Sequence, residues 1–342
     1  MKRLVTILLL MTPLASQSQE TISTLPPQGR PPQGVTAAWW NVENLFDLRD
    51  DPQTNDDEFT PTGERHWTRR RLDAKLQGIY KTLVMMDLPD VVGLGEVENA
   101  HVLRELCQGT PLAQVPYRYV HYDSPDRRGI DVALIYRTDR FTVTNSRKVS
   151  VSDSAAGFFT RDILVVEGVR VPPEGEKSEG DSVCILVNHW PSKRGGEEAD
   201  AQRLRIADTL RRQMVELHAK HPTAAIIAMG DMNSTAEEEA IAKGMGFAGD
   251  SISPDGIRLL TLRLPRDIGT HKYQGQWRYI DQMFLLADEP WQVKKLKLLR
   301  FDHLLTDDGN RPGQRPKRTY QGPRYEGGLS DHLPMLLRLQ KK

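Results

Sequence analysis

One arrangement constrains this chain more than any other: short β-branched or apolar runs recur, each ended or interrupted by an acid, an amide or a histidine. Such runs, bounded by Gly, Pro, Asp or Asn, read as strands. Eight are expected: Ala37 to Val42, Val91 to Glu96, Val132 to Tyr136, Ile163 to Val169, Val183 to Asn188, Ala224 to Met229, Ile280 to Leu286 and Leu333 to Leu337. Two helices are expected, over Arg69 to Met86 and Asp200 to Lys220. The second brings Leu204, Ala207, Leu210, Met214 and Leu217 near one face, the spacing of an amphipathic helix. Ser251 to Gln276 and Asp302 to Gly328 read as long loops, which inside a compact domain are commonly functional.

The punctuating residues carry the chemistry. Asn41, Glu43 and Asn44 end the first run, Glu96 ends the second, and Asp131 heads the third. Asn188 and His189 close Cys184 to Val187, while Asp231 and Asn233 follow Ala224 to Gly230. Asp281 interrupts Tyr279 to Phe284, and Ser330-Asp331-His332 precedes the last run. A single strand-terminal Asp is ordinarily a turn residue, and a single His beside Trp190 is ordinarily packed. Together, however, they place carboxylates, two histidines and amides at strand ends, where α/β proteins commonly build sites. Hard oxygen donors without cysteine favour magnesium, manganese or calcium over zinc or copper.

The N-terminal residues stand apart from this pattern. Lys2 and Arg3, an apolar run from Leu4 to Leu10, then Ala15-Ser16-Gln17-Ser18 follow the order of a secretory signal peptide, expected over residues 1–19. The apolar run is too short to span a bilayer, and no cysteine follows it for a lipid anchor. A doubled Pro-Pro-Gln-Gly element between Pro26 and Gly34 reads as an extended linker over residues 20–34, leaving one domain over 35–342. The mature chain is thus expected in the periplasm or outside the cell, with no transmembrane segment and no stable protein partner. Its formal net charge is zero, so any nucleic-acid contact must rest on a local basic patch. Cys107 and Cys184 permit one disulfide or none, and no zinc spacing is present.

WWNVENLFD (Trp39 to Asp47), VVGLGEVEN (Val91 to Asn99), GIDVALIYR (Gly129 to Arg137), VNHWPS (Val187 to Ser192), MGDMNS (Met229 to Ser234), YIDQMFL (Tyr279 to Leu285) and GLSDHLPM (Gly328 to Met335) occur in this order. They resemble the signature of the endonuclease/exonuclease/phosphatase superfamily, which includes deoxyribonuclease I, apurinic endonucleases and neutral sphingomyelinases. The NVENLFD start is similar to that of exported bacterial members. The resemblance implies an α/β (α+β) fold, a four-layer α/β/β/α sandwich of two mostly antiparallel sheets. It implies a metal-dependent phosphoesterase, with a divalent cation, magnesium first and manganese or calcium as alternatives.

Residue by residue, the resemblance implies that Glu96 is the principal metal ligand, with Asn41 beside the metal or a phosphate oxygen and Asp331 a further metal-proximal carboxylate. Asp231 and Asn233 match the pair that orients and deprotonates the attacking water. His332, held by Asp281, matches the histidine on the scissile phosphate. His189 matches the second active-site histidine, with Asp131 as the carboxylate that orients it. Arg161 lies in a segment, Gly157 to Asp162, that resembles one whose arginine can contact phosphate; the alternative is a rim arginine paired with Asp162. Gly95 stands where many members carry Gln.

Basic clusters at Arg69-Arg70-Arg71, at Lys193-Arg194, and at Arg311, Arg315, Lys317, Arg318 and Arg324 suit a polyanion. Trp190, Trp277 and Tyr325 are placed to stack on bases. The leading expectation is a nuclease on DNA or RNA, so nucleic acid is the expected partner. The alternatives are a phosphatase or lipid phosphodiesterase of sphingomyelinase or inositol-phosphate type, or a non-catalytic binding protein on the same scaffold. A lipid enzyme would use an exposed apolar hairpin, for which His66-Trp67 and Gly157-Phe158-Phe159 are the candidates.

Overall fold

Along the first strand of the chain, Val35, Ala37 and Trp39 belong to one buried cluster while Ala38, Trp40 and Val42 are buried on the opposite face. A strand covered on both sides needs apolar residues at every position, so it reads as a continuous run and not as an alternation. The computed structural model describes residues 34–172, 180–247, 249–309 and 311–341. The expected leader and, apart from Gly34, the expected linker lie outside them.

Twelve strands make the two large sheets among the described residues: β1 (Val35–Leu45), β2 (Val91–Val97), β3 (Tyr117–His121), β4 (Asp131–Arg137), β5 (Phe141–Val149), β6 (Ile163–Arg170), β7 (Ser182–His189), β8 (Ala225–Asp231), β9 (Arg258–Leu259), β10 (Asp281–Leu286), β11 (Trp291–Leu298) and β12 (Met335–Lys341). The first sheet runs β11-β12-β1-β2-β4-β3 and the second β5-β6-β7-β8-β10-β9. Each has one parallel pair at its centre, β1 with β2 and β7 with β8; the remaining pairs are antiparallel.

The sheets pack face to face through Trp39, Val91, Val132 and Leu337 from the first and Val166, Ile185, Ile227, Met229 and Met283 from the second. Behind the second sheet, α3 (Gly196–Lys220) lays Ile206, Ala207, Leu210, Met214 and Leu217 on Val165, Leu186, Ile226 and Ala228. On the first sheet's side, α1 (Arg69–Met85) buries Leu72, Leu76, Ile79 and Leu83, and α2 (Ala100–Gly109) buries Val102, Leu103 and Leu106. These helices contact β1 and β3 respectively, which completes the expected four layers.

The two stretches expected as long loops are more ordered than that reading. They hold the hairpins His271–Tyr273/Gln276–Arg278, Leu305–Asp307/Gln314–Pro316 and Tyr320–Gln321/Arg324–Tyr325. The last strand begins at Met335 and not at Leu333. Leu333 N is already bound to Thr270 O at 2.7 Å, and Pro334 has no N–H to offer a ladder. Both cysteines are free and buried.

Candidate active site

The polar strand ends converge because the central strands end together. Asp231 closes β8, lies opposite His189 in the parallel β7/β8 register, and lies opposite Asp281 in the antiparallel β8/β10 register. The first sheet contributes from two irregularities. The β1/β2 register shifts between Asn41 and Leu45, and the β2/β4 register shifts between Gly95 and Val97. Glu43 (φ 50°), Asn44 (φ 52°) and Glu96 (φ 60°) take left-handed backbone there, as does Asn233 (φ 48°) after β8. Non-glycine residues rarely adopt this region, and bulges that use it commonly re-aim side chains at sites.

Asn41 sits at the centre, fully buried. Its Nδ2 lies 3.2 Å from Glu96 Oε1 and 3.2 Å from Asp231 Oδ2, and its Oδ1 accepts from Glu43 N at 2.9 Å. Glu96 Oε2 accepts from Asn44 N at 2.9 Å. Asp231 Oδ1 accepts from Asn233 N at 2.9 Å, and Asp231 Oδ2 lies 3.6 Å from both His189 Nε2 and His332 Nε2. The opposite nitrogen of His332, Nδ1, meets Asp281 Oδ2 at 2.7 Å. Asp331 Oδ2 accepts from Arg318 Nη2 at 2.6 Å, and its Oδ1 lies 3.9 Å from His332 Nε2.

The electrostatics separate the two imidazoles. Burial, joined by Arg161, Arg128 and His332, pushes His189 well below the usual imidazole range. Burial acts the same way on His332, but the Asp281 and Asp231 carboxylates outweigh it and hold His332 well above that range. Burial raises Asp231 to about 7, with His332 opposing and Asp281 and Glu96 adding to the rise. Burial and then Asp331 likewise raise Glu43 to about 7. The site therefore pairs a neutral histidine, a histidine held in its cationic form, and a carboxyl poised near neutrality.

A divalent cation fits this set. Oxygens of Glu96 and Asp231 converge on one amide nitrogen, the neighbouring Asp281 and Glu96 carboxylates add to the rise of Asp231, and no thiolate is present. Asp231, Asp281 and His332, and also His271, Asp331 and His332, offer ligand atoms within 4.8 Å of one another. Oxygen-rich groups of this kind suit magnesium, manganese or calcium.

Asn41, Glu96, His189, Asp231, Asn233, Asp281, Asp331 and His332 are brought together as the sequence suggested. Three other expectations change. Asp131 does not orient His189: it accepts from Ser124 N at 3.1 Å and lies 3.4 Å from His121, while His189 Nδ1 is buried without a partner. Arg161 is a buried staple and not a phosphate contact. Its Nε donates to His189 O, its Nη2 to Trp190 O and its Nη1 to Asp126, at 3.1, 2.7 and 2.8 Å. Trp190 is 1% exposed inside the core beneath α3, so it cannot stack on substrate. Lys193 is ion-paired with Glu238, and both Lys193 and Arg194 are exposed.

Sequence reasoning missed His271 and the bond from Trp39 Nε1 to Asp281 Oδ1, 2.6 Å. The ring centroid of His271 is 5.0 Å from that of His332. Nothing local in the sequence marks it, because a hairpin inside an apparent loop carries it to the site.

Two mostly antiparallel sheets thus bring carboxylates, amides and two histidines to one shared rim. The chain belongs to the endonuclease/exonuclease/phosphatase family, whose model matches residues 36–341. No curated protein matches the chain in sequence. Among solved structures it is similar to TDP2 of D. rerio complexed with single strand DNA product, at 16% identity and a TM-score of 0.56 over 90% of this chain and 99% of that one. It is similar to a mannosyl-6-phosphatase of Bacteroides thetaiotaomicron, at 16% identity and a TM-score of 0.55 over 89% and 99%. The human Nocturnin catalytic domain with bound sulfate anion gives 16% identity and a TM-score of 0.55 over 91% and 94%. At these identities the likeness speaks for the fold.

Proposed function

We propose that the chain is a divalent-cation-dependent phosphodiesterase acting on DNA or RNA. The observation that carries this is Asp231 Oδ2, placed 3.6 Å from each of two imidazoles and 3.2 Å from Asn41 Nδ2. Asp231, raised to about 7, takes the proton of the attacking water, and Asn233 helps to orient that water. His332, kept protonated by Asp281, holds the scissile phosphate by charge and hydrogen bonding. His189, neutral at working pH, serves as a second polar contact on the phosphate. Glu96, Asn41 and Asp331 would hold the cation, magnesium before manganese or calcium, which when bound neutralises charge on the phosphoryl oxygens.

Cations near the rim support a polyanion. Arg318 stands beside Asp331, and the guanidinium of Arg71 lies 4.3 Å from the Tyr325 ring, joining two basic clusters far apart in sequence. Less supports the lipid alternative: Trp67 is fully buried and Phe158 packs on the core beneath α3, while Phe159 is exposed. The order of charged, apolar and small residues over 1–19 supports action outside the cytoplasm. Among the described residues no helix is long and apolar enough to cross a membrane.

A panel of supercoiled DNA, single-stranded DNA, RNA, sphingomyelin and sugar phosphomonoesters, assayed with magnesium, manganese or calcium and then with EDTA, tests the reading. EDTA-sensitive cleavage of a nucleic acid is expected. Exclusive monoester turnover would replace the nuclease with a phosphatase, and binding without turnover would replace the enzyme with a binding protein.

A further inference from the structure

Asp281 is a fully buried carboxylate with two jobs for its two oxygens. Oδ2 faces His332 Nδ1 at 2.7 Å, and Oδ1 accepts from Trp39 Nε1 at 2.6 Å. Trp39 comes from the other sheet, 242 positions away in sequence, and its indole lies wholly within the core between the sheets. An indole N–H only donates, so Oδ1 must remain an acceptor and the carboxylate plane is fixed from behind.

The space for this indole is provided by β2. A Cβ at Gly95 would lie 2.7 Å from Trp39 Cη2, and one at Gly93 would lie 3.2 Å from Trp39 Cε3 and 2.9 Å from Met229 Sδ. Neither contact can be relieved cheaply, because a buried ring between two packed sheets has nowhere to turn. Gly95 also immediately precedes Glu96. One clearance thus serves both the indole and the turn that carries the expected metal ligand.

We infer that Trp39 is a positioning residue for the reaction: its N–H locks the Asp281 carboxylate, and through it the ring orientation of His332, with Gly95 as the clearance that admits it. The relay Trp39–Asp281–His332 crosses from one sheet to the other, so sheet packing itself sets the imidazole. This rests on the reading of His332 as the residue that holds the phosphate.

The test has a kinetic arm and a spectroscopic arm, both on the full chain. With an aryl phosphodiester, Trp39→Phe is expected to lower kcat about 10- to 100-fold, the scale of outer hydrogen-bond partners, with KM little changed. Asp281→Asn should lose more, and Trp39→Phe should add nothing to it, since both break one relay. Gly95→Ala should lower kcat by displacing the indole and should add little once Trp39 is Phe.

In the NMR spectrum, the downfield Nδ1–H proton of His332, assigned by its loss in His332→Gln, should shift or broaden in Trp39→Phe. It should stay in place in Trp291→Phe, a buried indole bonded to Thr223 O instead. Wild-type kcat with an unmoved proton in Trp39→Phe, or losses that multiply with Asp281→Asn, would overturn the inference. If Trp39→Phe does not fold, Gly95→Ala carries both readouts. If the wild-type chain hydrolyses no diester, the functional reading fails while the proton signal still decides the relay.

Discussion

Arg161 grips the carbonyl oxygen of Trp190 at 2.7 Å, and Asn233 Nδ2 donates to that same oxygen at 3.0 Å. With Arg161 Nε also on His189 O, one guanidinium fixes the turn that presents His189 and ties it to the loop after β8. The guanidinium is balanced by Asp126, and both side chains are 7% exposed.

Removing Arg161 leaves the buried Asp126 with only the half-exposed Arg128, 4.0 Å away, as counter-charge, against a loss of about 3–5 kcal/mol for a buried pair wholly broken. Arg161→Ala should therefore unfold at lower urea and lose kcat together. A phosphate contact would behave otherwise, raising KM in a chain of unchanged stability.

Glu167 supplies a pH signature away from the site. Burial opposes its ionisation, but hydrogen bonds from Lys220, Asn145 and His221 outweigh burial and hold it at about 2, against 4.5 when unperturbed. A depressed carboxylate contributes stability that is complete above pH 4.5 and is lost as pH falls toward 2. Glu167→Gln should thus be less stable than wild type at neutral pH, with the gap in unfolding midpoint closing across that acid window. A gap constant from pH 7 to pH 2 would contradict the assignment.

The thiols should be inert. Burial pushes both Cys107 and Cys184 up to about 12, and neither is bonded to the other. A thiol reagent should modify neither in the native chain and both after unfolding, and reducing agent should leave the unfolding midpoint unchanged.

The interior of the fold was legible and its margins were not. The eight expected strands are the eight interior strands of the two sheets, buried on both faces and therefore written as apolar runs. The four that were missed, β3, β5, β9 and β11, are the sheet edges. Edge strands carry polar and charged residues that blunt further pairing, as in Thr142-Val143-Thr144-Asn145-Ser146-Arg147-Lys148 and Gln292-Val293-Lys294-Lys295. Site residues at strand ends were likewise readable, because the strand that carries each one is readable.

What failed was partner choice. Arg161, Trp190 and Asp131 have the right chemistry beside the right motifs, yet burial turns two of them inward and Ser124 and His121 occupy the third. Gly95, which stands where many members carry Gln, has a packing reason in the Trp39 indole. Contacts between residues hundreds of positions apart have no local signature, so neither that reason nor the place of His271 was open to reading by eye.

The most direct test of the account is the rate of aryl phosphodiester hydrolysis in Asp231→Asn with magnesium, beside its unfolding midpoint. The substitution keeps the size of the side chain but removes the carboxylate proposed to accept the water's proton. The account predicts a folded protein whose kcat is about 10²- to 10⁴-fold below wild type, the usual share of a general base. A folded Asp231→Asn chain turning over at the wild-type rate would contradict it.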